Sequence, residues 1–199
     1  MEQLGAFLLA ALALAGSPGP NTLSIAAVSA AFGRAAAVPY MCGLILGMVG
    51  VMAIVGSGVA ALLLTLPGLR PAVVALAAGY FVFLAWRIAT APPLAGAGSG
   101  GRQPRWFEGT LLSLVNPKAY AAMGALFSGF VLVAGDPLFD GLAKAGTTVA
   151  VLFTVNIAWL MAGAGLTRFH GNARASRLIN ITFAVLLLVS VAATVLLQG

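Results

Sequence analysis

A chain of 199 residues with 61% hydrophobic and 7% charged residues and a mean hydropathy of +1.07 excludes an ordinary water-soluble domain, in which roughly a quarter of residues are charged. Four acids and ten bases supply too little polar surface to cover a core of this length, so lipid must solvate most of the outside. The net charge of +6 does not signal nucleic acid, because the bases are scattered at the ends of apolar runs, as orientation in a bilayer requires, and form no stripe interleaved with aromatics.

Crossing about 30 Å of hydrocarbon takes about 20 apolar residues, and six stretches are that long: 4–32, 38–66, 72–91, 109–133, 142–166 and 178–197. The sequence therefore predicts an all-α polytopic membrane protein with six transmembrane helices. The first stretch also resembles a secretory signal, since its run from Leu4 to Ala15 ends in small residues. However, Glu2 stands where a signal carries bases and the first base is Arg34, so a spanning helix is the better reading.

Within that first stretch lies "SPGPN", Ser17 to Asn21. Pro18 and Pro20 remove two backbone donors and clash with the preceding turn, while Gly19 leaves the backbone unrestrained, so regular helix must break there. Carbonyls left unpaired in hydrocarbon cost several kcal/mol each, and such a break persists only where protein groups, water or a solute satisfy them. Asn21 adds donors and acceptors in the same turn.

The second stretch carries Cys42, expected as a small packing residue, and the pair Gly43 and Gly47, spaced for close helix packing. As the lone cysteine it excludes an internal disulfide or a multi-cysteine metal site. The third holds Tyr80 and a second small pair, Ala75 with Gly79. After it, "PPLAGAGSGGRQP" has no apolar period and reads as a flexible cytoplasmic linker. The expected organisation is a three-helix repeat over residues 1–91, a linker over 92–106 and a second three-helix repeat over 107–199.

The fourth stretch repeats the theme of the first with Asn116, Pro117 and Lys118. A lysine within an apolar run is expensive and usually functional, and at a helix break it would suit a carboxylate; the alternative is that it snorkels to the interface. In the fifth, Asn156 must find partners in mid-helix, either as interhelical glue or as a solute ligand. No acid falls in the middle of a span, which disfavours a dication site or a dedicated proton relay. His170, the sole histidine, lies in a basic loop.

Bases in alternate loops number seven (Arg34, Arg87, Arg102, Arg105, Arg168, Arg174 and Arg177) against two (Arg70 and Lys144). The positive-inside bias places the first, third and fifth loops in the cytoplasm and both termini outside. With three spans per half, the second half enters from the opposite face, so the halves form an inverted repeat whose first helices are both interrupted by proline, the usual pointer to a transport site. The candidate substrate-binding residues are Pro18, Gly19, Pro20, Asn21, Asn116, Pro117, Lys118, Tyr80 and Asn156. Paired intramembrane aspartates, a Ser/His arrangement, an H-E-x-x-H motif and a cysteine pair are all missing, so the chain is expected not to be an enzyme and to carry no cofactor.

At "SPGPNTLSIAAVSAAFGRAAAVPYMCGLILG", "AGYFVFLAWRI" and "FEGTLLSLVNPKAY" the chain resembles the LysE/RhtB family of amino-acid exporters, with its Pro-Gly-Pro-Asn/Asp turn, following Gly-Arg, third-helix Gly-x-Tyr and Asn-Pro-Lys. The resemblance implies export of amino acids or related small metabolites by ion exchange, through a homodimer in the inner (plasma) membrane. One departure stands out: after "GLILG" many relatives carry an acid, where this chain has Met48 and Val49. That favours a neutral or zwitterionic solute and leaves the coupling proton or ion unassigned. The alternatives are a solute other than an amino acid and a non-transporting subunit of a larger membrane complex.

Overall fold

The computed structural model describes residues 2–58, 69–90, 103–166 and 173–198. Among them are eight α-helices and no strand: α1 (Glu2–Gly16), α2 (Pro20–Phe32), α3 (Arg34–Gly56), α4 (Leu69–Ala89), α5 (Trp106–Leu114), α6 (Pro117–Gly129), α7 (Pro137–Gly165) and α8 (Ala173–Gln198). Three helices start on proline, α2, α6 and α7, where the missing N–H costs nothing and the fixed φ suits the first turn. Asn116 caps α6 by accepting from the Lys118 N–H, and Asp136 caps α7 by accepting from the N–H groups of Leu138 and Phe139. A single residue, Gly33, joins α2 to α3; its φ of 81° lies in the region that side chains disfavour.

The predicted stretch 4–32 is thus two helices, α1 and α2, bent by 56° at the "SPGP" break. Stretch 109–133 is likewise divided, into α5 and α6, at Val115 and Asn116. Among the described residues α3 and α7 are each long and apolar enough to cross a bilayer, and the bent α1–α2 pair adds a third candidate. Beyond Gly58 the predicted second stretch, most of the predicted linker, Arg102, Arg168 and His170 lie outside the described residues. Leu9, Val82, Trp86, Phe139, Leu178 and Val189 are each more than half exposed, giving the outer surface that a helical membrane protein presents to lipid tails.

Two contacts bring the helix breaks together. Helix α5 lies in a glycine groove of α3: a Cβ on Gly43 would overlap the Trp106 carbonyl, and one on Gly47 would meet Thr110 and Ser113. From the other side, a Cβ on Gly109 would stand 2.5 Å from the Tyr40 carbonyl oxygen. Thr110 and Ser113 donate to the carbonyls of Gly43 and Leu44 at 3.0 and 2.8 Å, so the close approach that glycine permits is fixed by hydrogen bonds between helices. The second contact is antiparallel, between α1 and α6. At one end Phe7 meets Phe130 edge to face at 5.6 Å and the Val131 N–H donates to Gln3; at the other, Ser17 meets Lys118.

Three expectations are corrected. Gly79 has open space where a Cβ would stand, so it mediates no close approach. Cys42 is exposed on α3 and is not packed. Lys144, counted among loop bases, is buried in the second turn of α7, where its ammonium pairs with Asp140 at 2.6 Å and donates to the Phe127 carbonyl at 2.9 Å. A charge placed inward by helical register contributes nothing to a loop-charge count.

Candidate functional site

Because α1 and α6 run antiparallel and both breaks fall at their adjoining ends, "SPGPN" and "NPK" come together, although about a hundred residues separate them. Asn116 Nδ2 donates to Asn21 Oδ1 at 2.9 Å, and Asn21 Nδ2 donates to Ser113 Oγ at 2.9 Å. Ser113 Oγ in turn donates to the Leu44 carbonyl at 2.8 Å. The Lys118 N–H closes the other end of this chain on Asn116 Oδ1 at 3.1 Å. One continuous series of hydrogen bonds therefore ties α6, α2, α5 and α3, and each amide uses both its oxygen and its nitrogen.

Lys118 does not stand free. Its ammonium crosses to the first break and donates to Ser17 O at 2.8 Å, Ser17 Oγ at 2.7 Å and Pro18 O at 3.2 Å. Three donors meet three acceptors. Gly19 allows this, since a Cβ there would lie 2.8 Å from Nζ and 2.9 Å from Cδ. The turn itself is held by Thr22, whose Oγ1 accepts from the Gly19 N–H at 2.9 Å.

A cavity of about 40 Å³ borders this junction, lined on its polar side by Gly19, Asn21, Asn116, Lys118 and Asn156 and on its apolar side by residues including Met48, Met123 and Leu152. Asn156 is 3% exposed. Its Nδ2 donates to the Leu152 carbonyl at 2.8 Å within α7, while its Oδ1 has no hydrogen-bond partner. A buried acceptor left without a donor costs about 1–3 kcal/mol, and here it stands in the wall of a cavity. Among the described residues no carboxylate lines that space. At 40 Å³ it holds a few water molecules and falls well below the roughly 300 Å³ of the smallest ordinary ligand pockets, so the junction is contracted in this conformation.

A wider cleft, about 1030 Å³, opens between α3, α6 and α7, with Met52, Phe127 and Val149 in its wall. The two spaces follow one another along the same three helices, because Met48, Met123 and Leu152 precede or follow those residues by one helical turn.

Of the residues singled out in sequence, Pro18, Gly19, Pro20, Asn21, Asn116, Pro117 and Lys118 meet at the junction and Asn156 borders it. Tyr80 stands elsewhere. Its hydroxyl donates to the Glu108 carbonyl at 2.8 Å, beside the Arg87–Glu108 ion pair at 2.6 Å, so it braces α4 against α5 and does not touch the cavity. Ser17, Thr22 and Ser113 were not among those candidates. Small hydroxyl residues in apolar runs carry no signal of their own, and only proximity to the two breaks could have singled them out.

Neither a search of curated proteins nor one of solved structures returns a match. The family model described as LysE type translocator matches residues 12–199, a span that takes in both breaks and every residue of the junction. With two interrupted apolar helices joined through their amides and nearly the whole sequence matched, the chain belongs to the LysE type translocator family of membrane transporters.

Proposed function

We propose that the protein is a secondary exporter that moves amino acids, neutral or zwitterionic, or closely related small metabolites out of the cytoplasm, with the junction of the two breaks as its solute site. The observation that carries this reading is the pairing of Asn21 with Asn116 beside a cavity with an unpartnered Asn156 oxygen. Broken helices that approach from opposite faces and meet in mid-bundle are how many secondary transporters build a site. Six spans in two inverted three-helix repeats (residues 1–91 and 107–199), joined by a linker over 92–106, would place the breaks at the pseudo-symmetric centre. Rocking of the repeats would then expose the site to either side.

The charge distribution supports an orientation. Arg34 and Arg105 are exposed at the starts of α3 and α5 and Arg87 lies in the last turn of α4, all at one end of the bundle. The other end holds Asp136, Asp140 and the internally paired Lys144. The arginine end faces the cytoplasm by the positive-inside bias, and the wide cleft beyond Met52 and Phe127 is then the exit vestibule. The protein resides in the inner (plasma) membrane as a homodimer with both termini extracytoplasmic, and a proton or other ion drives exchange.

Purified protein in liposomes loaded with labelled neutral amino acids should show efflux that Asn21→Ala reduces by at least about tenfold, the loss expected when a paired buried amide is removed. Wild-type efflux from a folded Asn21→Ala variant would refute the site. No efflux of any amino acid from the wild-type protein would refute the solute class.

A further inference from the structure

Lys118 reports on the chemistry of the place it occupies. Its ammonium sits against Ser17 O, Ser17 Oγ and Pro18 O, at the C-terminal end of α1, where the helix dipole is negative. In an unbroken helix the Ser17 and Pro18 carbonyls would accept from the N–H groups of Asn21 and Thr22; the 56° bend between α1 and α2 turns those donors away, so the break itself leaves both carbonyls without backbone donors. Three oxygens, no carboxylate and a negative helix end make a receptor for one N–H-bearing monocation. The cavity is lined by Gly19 and Lys118 but not by Ser17 or Pro18, so another such cation reaches those oxygens from it only as Lys118 withdraws.

We propose that Ser17 and Pro18 form a binding site for a primary ammonium, filled by Lys118 when the carrier is empty and taken over by the ammonium of the exported zwitterion, which releases Lys118 to the solute's carboxylate. The takeover by solute rests on the exporter reading above; the ammonium site itself does not. Each cation replaces another on the same oxygens, and the displaced ammonium meets one carboxylate, so the exchange adds no net charge to the membrane interior. This explains how a site without intramembrane acids accommodates an amino group. Asn156 Oδ1, unpartnered in the same cavity, offers the arriving ammonium an acceptor that Lys118 does not use.

The site is tested by emptying it. Lys118→Ala in lipid nanodiscs should gain apparent Tm, by about 3 °C or more at saturation, from methylammonium chloride but not from tetramethylammonium chloride, which lacks N–H donors, at equal ionic strength. The wild-type protein, whose own ammonium fills the site, should respond at least several-fold less. An equal response of wild-type and variant would overturn the proposal, as would no response of the variant or an equal response to sodium chloride. Lys118→Met, which retains the volume of the aliphatic stem, carries the same test if Lys118→Ala does not fold. A methylammonium response without amino-acid efflux in liposomes would remove the exporter reading and leave the ammonium site standing; efflux without the response would remove the ammonium site alone.

Discussion

Replacing Gly109 by alanine tests whether the glycine groove between α3 and α5 is what holds the junction in register. The added Cβ would stand 2.5 Å from the Tyr40 carbonyl oxygen and 3.0 Å from the Leu44 nitrogen, against an ordinary contact of 3.4 Å or more. Both neighbours are backbone of a continuous helix, so no rotamer change relieves the overlap, and the helices must separate by about 0.9 Å. Overpacking of this kind costs about 1–3 kcal/mol. The separation also stretches the bonds from Thr110 to Gly43 and from Ser113 to Leu44, each worth about 0.6 kcal/mol between membrane helices. Against this stands the gain of about 0.5–1 kcal/mol from replacing glycine in a helix. The net loss is about 1–4 kcal/mol, or about 2–16 °C in apparent Tm for a chain of this size. Thermal unfolding of the purified protein measures it, with Gly79→Ala as the control, because a Cβ at Gly79 meets nothing within 4 Å. If Gly109→Ala proves as stable as Gly79→Ala, the groove does not fix the two helices.

Asp140→Ala should destabilise in denaturant or thermal unfolding, because it leaves the buried Lys144 ammonium with the Phe127 carbonyl alone and removes the acceptor of the Leu132 and Val133 N–H groups; the double variant with Lys144→Met should recover part of that loss, and a double variant no more stable than the single would contradict this account. Met48→Ala should widen the cavity and shift efflux preference towards bulkier solutes by about tenfold, as competition between labelled amino acids in liposomes would measure. Gly19→Ala should press on Lys118 Nζ at 2.8 Å and drive it from Ser17 and Pro18. Its apparent Tm should then fall, and an undiminished value would mean that Lys118 does not depend on the bare backbone at Gly19.

The parts legible in sequence were those with a local cause. Proline chemistry at Pro18, Pro20 and Pro117 marks both helix breaks, because a missing N–H acts wherever the chain goes afterwards. That the two breaks could meet was suggested by their approach from opposite faces; the hydrogen bond from Asn116 to Asn21 was not foreseen. The direction of Lys118 was not legible: its acceptors are carbonyls of a segment about a hundred residues away, and backbone oxygens have no sequence signature. Helical register misled at Lys144, which looked like a loop base until α7 began earlier, at Pro137, and turned it inward. It misled also at Gly79, since small residues permit close packing without requiring it. Tyr80 and Asn156 were both candidates as polar residues in apolar runs, Asn156 the stronger because a mid-helix amide must find partners; the rotation of α4 and α7 sends one to Glu108 and the other to the cavity.

The bonds that close the junction also govern leakage. Any rearrangement that widens it must release Asn116 from Asn21, Asn21 from Ser113 and Lys118 from its three oxygens. At about 0.6 kcal/mol for each interhelical bond, the closed form is favoured by about 3 kcal/mol, or about a hundredfold. On the exporter reading proposed above, an empty carrier would therefore rarely open, and a membrane that stores energy in ion gradients would keep them intact. On the same reading, a solute whose own polar groups replace those partners would lower the barrier for its passage alone, so the five contacts that seal the resting protein would also select what unseals it.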